Sequence, residues 1–167
     1  MRGDFESKVK LPMSVSGAYG IRLLDTLRME ADVEWLQYSR FQSFPLDVQN
    51  GPPGLVTGWV TDWKDTWTVG VGGDWEFAEG WFLRAGYRFC QSPVREEHFN
   101  PVIPDSDRNI VSVGVGFKSG HHSVEVAGAA DLYENRFIEN PETATPAVIG
   151  KYSFTGYMVS VAYEFQF

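Results

Sequence analysis

Apolar and polar residues alternate with a period of two along most of the chain. Between Trp67 and Phe77, every second residue is apolar or glycine, and the residues between them are small or polar. Because a β-strand points successive side chains to opposite faces, this alternation predicts a strand with one apolar face. No helical period of comparable length competes with it, so the pattern predicts an all-β protein.

Seven runs share this alternation, at residues 9–21, 27–35, 67–77, 81–89, 111–117, 124–132 and 157–167. No charged residue lies on any of the seven apolar faces, whereas the intervening positions carry charges of both signs. The short turn Ala78–Gly80 predicts that the third and fourth runs pair as antiparallel strands. Matching Phe77 with Trp81 sets Asp74 opposite Arg84, which predicts a cross-strand ion pair.

A clean apolar face has two interpretations. It can line the interior of a soluble barrel or sandwich, or it can contact lipid around a membrane barrel with a polar lumen. The distribution of aromatic residues favours the membrane barrel, because they lie near the strand ends and valine fills the middles, as in the interfacial girdles of such barrels. The aromatic residues concerned are Trp67, Trp75, Phe77, Trp81, Phe89, Tyr157, Phe165 and Phe167.

The connections between the runs alternate strictly between short and long. The short ones span residues 22–26, 78–80 and 118–123, and the long ones span 42–64, 92–107 and 134–150. Bacterial outer-membrane barrels have short periplasmic turns and long extracellular loops, which places the C-terminus in the periplasm. Such barrels have an even number of strands, so we expect the chain to begin partway through a barrel. Pro12 then fits a kinked or edge strand.

Composition removes several classes of function. The net charge of −8 without basic clusters argues against nucleic-acid binding. The single cysteine, Cys90, excludes an internal disulfide and a multi-cysteine metal site. The N-terminal segment lacks the apolar core of a signal peptide, which we attribute to a missing upstream region. No pattern predicts catalytic residues, a metal site or a cofactor.

A set of motifs occurs in a fixed order along the chain. They are ADVEW at 31–35, DWKDTW at 62–67, WFLRAGYRF at 81–89, QSPV at 91–94, IPDSDR at 103–108 and the closing strand 156–167, preceded by Leu11-Pro12 with Gly17 and Tyr19. In order and spacing this set resembles the C-terminal half of FadL/TodX-type outer-membrane transporters. The resemblance extends from about Lys8 to the end of the chain.

This resemblance implies a fourteen-stranded, antiparallel up-and-down transmembrane β-barrel whose lumen is plugged by an N-terminal hatch. Residues 1–167 would form the C-terminal half of that single barrel domain, and the missing N-terminal half and the outer-membrane lipid would be its partners. Such transporters move long-chain fatty acids or other hydrophobic molecules passively across the outer membrane. The implied function is therefore transport and not catalysis.

Candidate ligand contacts lie in the predicted lumen and at its mouth. Arg84 and Arg88 face the lumen, and Lys64 and Arg108 lie at the extracellular ends of the third and fifth strands, where any of them can meet a carboxylate head group. Apolar loop residues offer further contacts at the mouth, namely Leu55, Val56, Trp59, Val60 and Trp63.

Each of these candidates also has a structural interpretation. Arg84 can balance Asp74, and Arg88 can balance the acidic residues Glu30, Asp32 and Glu34. Arg108 can hold its own loop through Asp105 and Asp107, Lys64 can pair with Asp65, and the tryptophans can cover the barrel rim. Both interpretations stay open at the level of the sequence.

The sequence therefore predicts an outer-membrane barrel that transports hydrophobic molecules. The alternative is a small soluble barrel, similar to a lipocalin, that binds a lipophile inside. A barrel-embedded enzyme and a purely structural barrel have no positive support. The two main alternatives differ in whether Val69, Val71, Val159 and Val161 face outward or pack in a closed interior.

Overall fold

Seven long antiparallel strands form one sheet in the computed structural model, which describes residues 5–6, 10–45, 47–48, 58–101, 104–139 and 149–167. The strands are β1 (Ser14–Leu24), β2 (Leu27–Leu36), β3 (Thr66–Ala78), β4 (Trp81–Cys90), β5 (Arg108–Ser119), β6 (His122–Tyr133) and β7 (Thr155–Phe165). Each pairs with its neighbours in the chain, so the sheet is an up-and-down meander with β1 and β7 at its edges. The predicted all-β, antiparallel class is confirmed.

Strand boundaries follow the sequence pattern except at the two edges of the sheet. The first strand begins at Ser14 instead of residue 9, and Val9 lies outside the described residues. Pro12 precedes this strand and is not part of it, because proline has no N–H to donate to a ladder. At the other edge, β7 ends at Phe165, two residues before the predicted end.

The register places all seven apolar faces on one side of the sheet. Val33 pairs with Val69, Val69 with Phe89, and on the other half of the sheet Val126 lies between Val115 and Val161. This face is exposed and not packed: Val69 and Val71 are 43% and 47% exposed, and Val159 and Val161 are 78% and 72% exposed. The apolar face is therefore exposed, as predicted for the membrane barrel, and a closed interior lined by these valines is not present in the described part of the chain.

Aromatic side chains form a band on the apolar face at the end where the short turns lie. Ring centroids are 5.9 Å apart between Trp75 and Phe77, 6.4 Å between Phe77 and Trp81, and 4.6 Å between Trp81 and Phe117. At the opposite end Trp35 pairs directly with Trp67. The predicted concentration of aromatic residues near the strand ends is confirmed, and it suits side chains that settle at a headgroup layer.

The short connections are tight turns at one end of the sheet. Gly80 and Gly120 adopt positive φ angles of 73° and 56°, which glycine reaches without strain and which close these turns in two residues. A bulge between Glu76 and Ala78 shifts the register at the end of β3. As a result Ala78 pairs with Trp81, whereas the sequence predicts that Phe77 does. Residues before the bulge keep the predicted register.

The long connections contain short elements that the sequence pattern does not predict. Phe5–Glu6 pairs with Asp47–Val48, Ser43–Pro45 with Gly58–Val60, and Arg136–Ile138 with Gly150–Tyr152; a 3₁₀ helix spans Tyr38–Arg40. Pairs of two or three residues carry no detectable periodicity and depend on tertiary contacts. Within the described ranges, no helix is long and apolar enough to cross a membrane.

An arginine scan across the two faces of β5 tests which face meets lipid. Val113 lies in the middle of the apolar face, and its neighbour Ser112 lies on the polar face. We expect Val113→Arg to cost about 2–4 kcal/mol of folding free energy in a bilayer, because the guanidinium would lie in hydrocarbon. The matched variant Ser112→Arg should cost much less, because it faces water. Urea titrations of the barrel folded into lipid vesicles measure both values, and equal losses would contradict this assignment of faces.

Candidate functional site

The polar face of the sheet forms an open trough of about 800 Å³. Residues from β1 to β5 line it, and most of them come from the polar positions of the alternation. Glycines account for much of its depth, because Gly72 of β3 and Gly86 of β4 pair with each other on its floor. A trough of this kind is wide enough for a slender molecule that lies along the strands.

Three ion pairs join different strands on the polar face of the sheet. Arg28 Nε donates to Asp74 Oδ1 at 2.8 Å, and Arg88 Nη2 donates to Asp32 Oδ1 at 2.9 Å. The third joins Arg84 to Glu125. All six side chains remain partly exposed, so solvent screens each pair and its contribution to stability is small.

Two of these pairs join strands that are not adjacent. Asp32 and Arg88 both pair in register with Gly70 of the strand between them, and a Cβ at Gly70 would overlap the Asp32 carboxylate. A Cβ at Gly116 would lie 3.9 Å from both Arg84 Nη1 and Glu125 Cγ. Because Gly70 has no side chain, Arg88 reaches Asp32 across the middle strand, whereas at Gly116 a Cβ would be in ordinary van der Waals contact with the pair of Arg84 and Glu125.

The predicted partner of Arg84 is wrong, although the predicted register is correct. Asp74 does lie opposite Arg84, but Asp74 is also directly opposite Arg28 on its other side and accepts its hydrogen bond from Arg28. Arg84 reaches over Gly116 to Glu125 instead. The prediction that the lumen acids balance Arg88 is confirmed in Asp32.

Arg108 connects two strands at the loop end of the wall. Its Nη1 donates to the Tyr133 hydroxyl at 2.6 Å and lies 3.5 Å from Asp131 Oδ2. The predicted pairing of Arg108 with Asp107 is wrong, since Asp107 instead accepts a hydrogen bond from the Ser92 N–H, whereas the charge of Arg108 does act on Asp105 and opposes the rise in its pKa. Arg108 also lines a smaller cavity of about 240 Å³, and Arg88 lines both this cavity and the trough.

The described hydrophobic core of the chain lies in the long connections, above the smaller cavity. Val94, Phe99 and Ile138 are buried together there, and Trp63 and Tyr152 pack against them. We call these five residues the cap. They come from all three long connections, so the cap ties together the loop ends of strands that are far apart in the sheet.

The candidate residues of the mouth fall into different positions. Trp63 stacks on Phe41 with ring centroids 4.8 Å apart, so it is part of the cap packing. Lys64 is exposed, and Asp65 accepts a hydrogen bond from the Ser39 N–H. Trp59 lies in a short strand whose backbone pairs with Phe44, and its side chain is outside the described part of the structure. Leu55 and Val56 also lie outside the described residues; Val60 is exposed.

Arg136 holds the cap together from below. Its guanidinium donates to the carbonyl oxygens of Asp105 at 2.7 Å and Val94 at 2.5 Å, and it lies over the Phe99 ring. Burial lowers the pKa of Arg136, and the nearby Asp105 carboxylate opposes that shift. Burial also raises the pKa of Asp105, against the effect of its hydrogen bond from Ser92. Burial thus favours the neutral form of both side chains, and the nearby opposite charges favour the charged form.

Sequence reasoning finds Arg84, Arg88 and Arg108, and Asp32 as a partner of Arg88, but it misses Glu125 as the partner of Arg84 and Tyr133 and Asp131 as the partners of Arg108. Arg28, Glu125 and the two bridging glycines, Gly70 and Gly116, emerge only once the register of three strands is combined. The alternation and the turn positions contain that register, so a register count from one turn to the next is the signal that finds them. Arg136 has no such signal, because the cap it holds is formed by irregular loops.

A family model, a relative and a solved structure match this chain. The family model described as outer membrane protein transport protein (OMPP1/FadL/TodX) matches residues 2–167. The putative outer membrane protein NMB0088 of Neisseria meningitidis serogroup B (strain ATCC BAA-335 / MC58) is 31% identical over 131 residues, which cover 74% of this chain and 27% of that protein. The fold matches the crystal structure of a Pseudomonas aeruginosa FadL homologue with a TM-score of 0.79 at 23% identity, over 92% of this chain and 35% of that one. The chain thus spans roughly a quarter to a third of the length of these relatives.

Replacing Arg136 by methionine tests whether this residue holds the cap. The variant leaves two half-buried carbonyl oxygens without their donor, at a cost of about 1–3 kcal/mol to the local structure. We expect hydrogen exchange at the Lys64, Ser92 and Glu134 amides, whose acceptors lie in the connections, to accelerate about tenfold or more. Arg95→Met is the matched control, because Arg95 makes an exposed pair with Asp62. Equal acceleration in both variants would contradict the assigned role.

Proposed function

The chain belongs to the OMPP1/FadL/TodX family of outer membrane transport proteins, and we propose that it forms one wall of a passive route for hydrophobic molecules across the bacterial outer membrane. The family is one of transporters, not of enzymes. The observation that carries the proposal is the trough, which lies on the polar side of a sheet whose apolar side is largely exposed. That combination suits a wall between lipid and an internal passage.

We further propose that residues 1–167 are the C-terminal half of a fourteen-stranded barrel. Both edge strands, β1 and β7, have open hydrogen-bonding groups in the sheet, and a barrel in lipid must pair them. An upstream half with its hatch is the partner that the family membership suggests. In this arrangement the short turns and the C-terminus are periplasmic, and the cap is extracellular.

The proposed path of a ligand runs from the cap to the trough. A long-chain fatty acid or another hydrophobic small molecule first meets the region of Trp59, Trp63 and Lys64 and then passes the smaller cavity beside Arg108. It continues into the trough past Arg88 and Arg84. Because Arg88 lines both cavities, the two volumes adjoin at this residue. Movement along such a path needs no energy source other than the concentration gradient.

The soluble alternative has less support. A lipocalin-like barrel buries its apolar face around the ligand, whereas the apolar face of this sheet carries large residues at 40–80% exposure, such as Val71 and Val159. A water-soluble protein does not present a contiguous apolar surface of this size. The exposed face therefore favours a membrane wall over a soluble carrier.

Two glycines on opposite faces of the sheet, Gly86 and Gly17, test the proposed route of the ligand. Gly86 lies on the trough floor, where a Cβ would lie 3.0 Å from the Ser112 hydroxyl and 3.8 Å from the Val71 carbonyl oxygen, and Gly17 lies on the apolar face with nothing within 4 Å. We expect Gly86→Phe in the complete barrel to lower the uptake of a hydrophobic substrate by at least about fivefold, because the benzyl group narrows the passage. Gly17→Phe should leave uptake unchanged. Uptake is measured in cells that lack their own transporter, with surface abundance as a control.

Two results would contradict the proposed route. Unchanged uptake in the Gly86→Phe variant at normal abundance would mean that molecules do not pass along this trough. Equal loss of uptake in both variants would mean that bulk, and not position on the polar face, accounts for the effect.

A further inference from the structure

We propose that Asp32 and Glu125 make this wall selective for uncharged lipophiles over carboxylates, because they occupy the two arginines that would otherwise bind an anionic head group. The inference rests on the proposed transport function and adds the class of substrate. It assigns a specificity-determining role to two acidic residues and to the glycines that let them reach their partners.

The geometry of the two pairs supports this role. Arg88 lies where the smaller cavity meets the trough, and Arg84 lies further along the trough wall. These are the positions at which a carboxylate moving through the passage meets a guanidinium. In both cases the guanidinium already donates to, or pairs with, a carboxylate of the wall itself, Asp32 or Glu125. An incoming carboxylate must therefore displace an internal one.

The bridging glycines show how specific these contacts are. Arg88 and Asp32 lie two strands apart, and the pair forms only because position 70 has no side chain. Gly116 lies opposite Glu125 and beside the Arg84 guanidinium, where a Cβ would be in ordinary van der Waals contact, so this position is less restrictive than Gly70. A wall that leaves its arginines free for a ligand does not need an open position between each arginine and a distant carboxylate.

The remaining charges along the path act in the same direction. Glu34 lines the smaller cavity and Glu30 lines the trough, and neither forms an ion pair with another described residue. Arg28 is paired with Asp74. Arg22 lies at the turn end of the trough, beyond these pairs. A carboxylate that has passed the exposed Lys64 at the mouth thus meets Glu34 and Glu30 along a path whose two arginines, Arg88 and Arg84, are already paired.

An uncharged lipophile meets none of these penalties. It leaves every internal pair intact, and it brings no charge that must be separated from water in the passage. The glycine-lined floor offers it a smooth surface. Discrimination between lipophiles then depends on the charge of the head group, and the length of the hydrocarbon chain matters less.

Two probes of equal chain length separate head group from chain. Palmitate and hexadecanol, both radiolabelled, are supplied at pH 8 to cells that lack their own transporter and express the complete barrel. Initial uptake is compared with that of cells carrying the empty vector. We expect hexadecanol to enter faster than palmitate in the wild type.

The variants then test the two acidic residues. In Asp32→Asn/Glu125→Gln, both arginines are released, and palmitate uptake should rise about fivefold to tenfold while hexadecanol uptake stays constant. Gly70→Ala removes no charge but displaces Asp32, so it should move the ratio in the same direction. Glu30→Gln is the matched control: it removes one trough carboxylate and releases no arginine, and it should change the ratio much less. Surface abundance of each variant is measured in parallel.

The outcomes distinguish this inference from the proposed function. If neither probe enters above the empty vector, the proposed function fails and the inference with it. If both enter and the wild type takes palmitate at least as fast as hexadecanol, the proposed function stands and the inference fails. A rise in Glu30→Gln as large as that in the double variant would also overturn it, because net charge alone would then explain the ratio.

Discussion

The structure depends on one constraint, the strict alternation of side chains across an antiparallel sheet whose strands are held in register by tight turns. The apolar residues of β6 occupy even positions, and those of β5 occupy odd positions. Pairing even with odd positions, as in Val126 with Val115, therefore keeps one face free of charge. A slip of one residue in any hairpin would place a carboxylate or guanidinium among the exposed valines. The turn glycines, Gly80 and Gly120, thus help to fix the side on which each charge lies.

The same alternation produces the candidate passage on the other face. Charges excluded from the apolar side gather on the polar side, where glycines leave enough space for arginines to reach carboxylates one or two strands away. The result is a wall whose cations are mostly neutralised from within. Above it, the buried side chains of the three long connections form a cap. The exposed apolar face and the trough therefore follow from where apolar residues are allowed along each strand, whereas the cap is formed by the connections.

The sequence predicts the regular part of this arrangement well, and the irregular part poorly. The seven strands, the short turns and the position of Asp74 opposite Arg84 follow from a period of two and local turn chemistry. The ion pairs across Gly70 and Gly116 require three strands in register at once, and a pairwise interpretation assigns Arg84 to the wrong carboxylate. The cap and its Arg136 clamp depend on contacts between residues 42 positions apart in loops without periodicity. No local signal contains such contacts.

One face of the sheet is expected to contact hydrocarbon and the other to contact water. The accessibility of spin labels on the two faces is the most direct test of this expectation. Single cysteines at Val126 and Ala127, adjacent positions on opposite faces of β6, are introduced after replacement of Cys90 and are labelled in the barrel reconstituted in lipid vesicles. We predict that the label at position 126 collides mainly with oxygen dissolved in the bilayer. The label at position 127 should collide mainly with a water-soluble nickel chelate. Exchange of the two profiles, or protection of position 126 from both reagents, would contradict it.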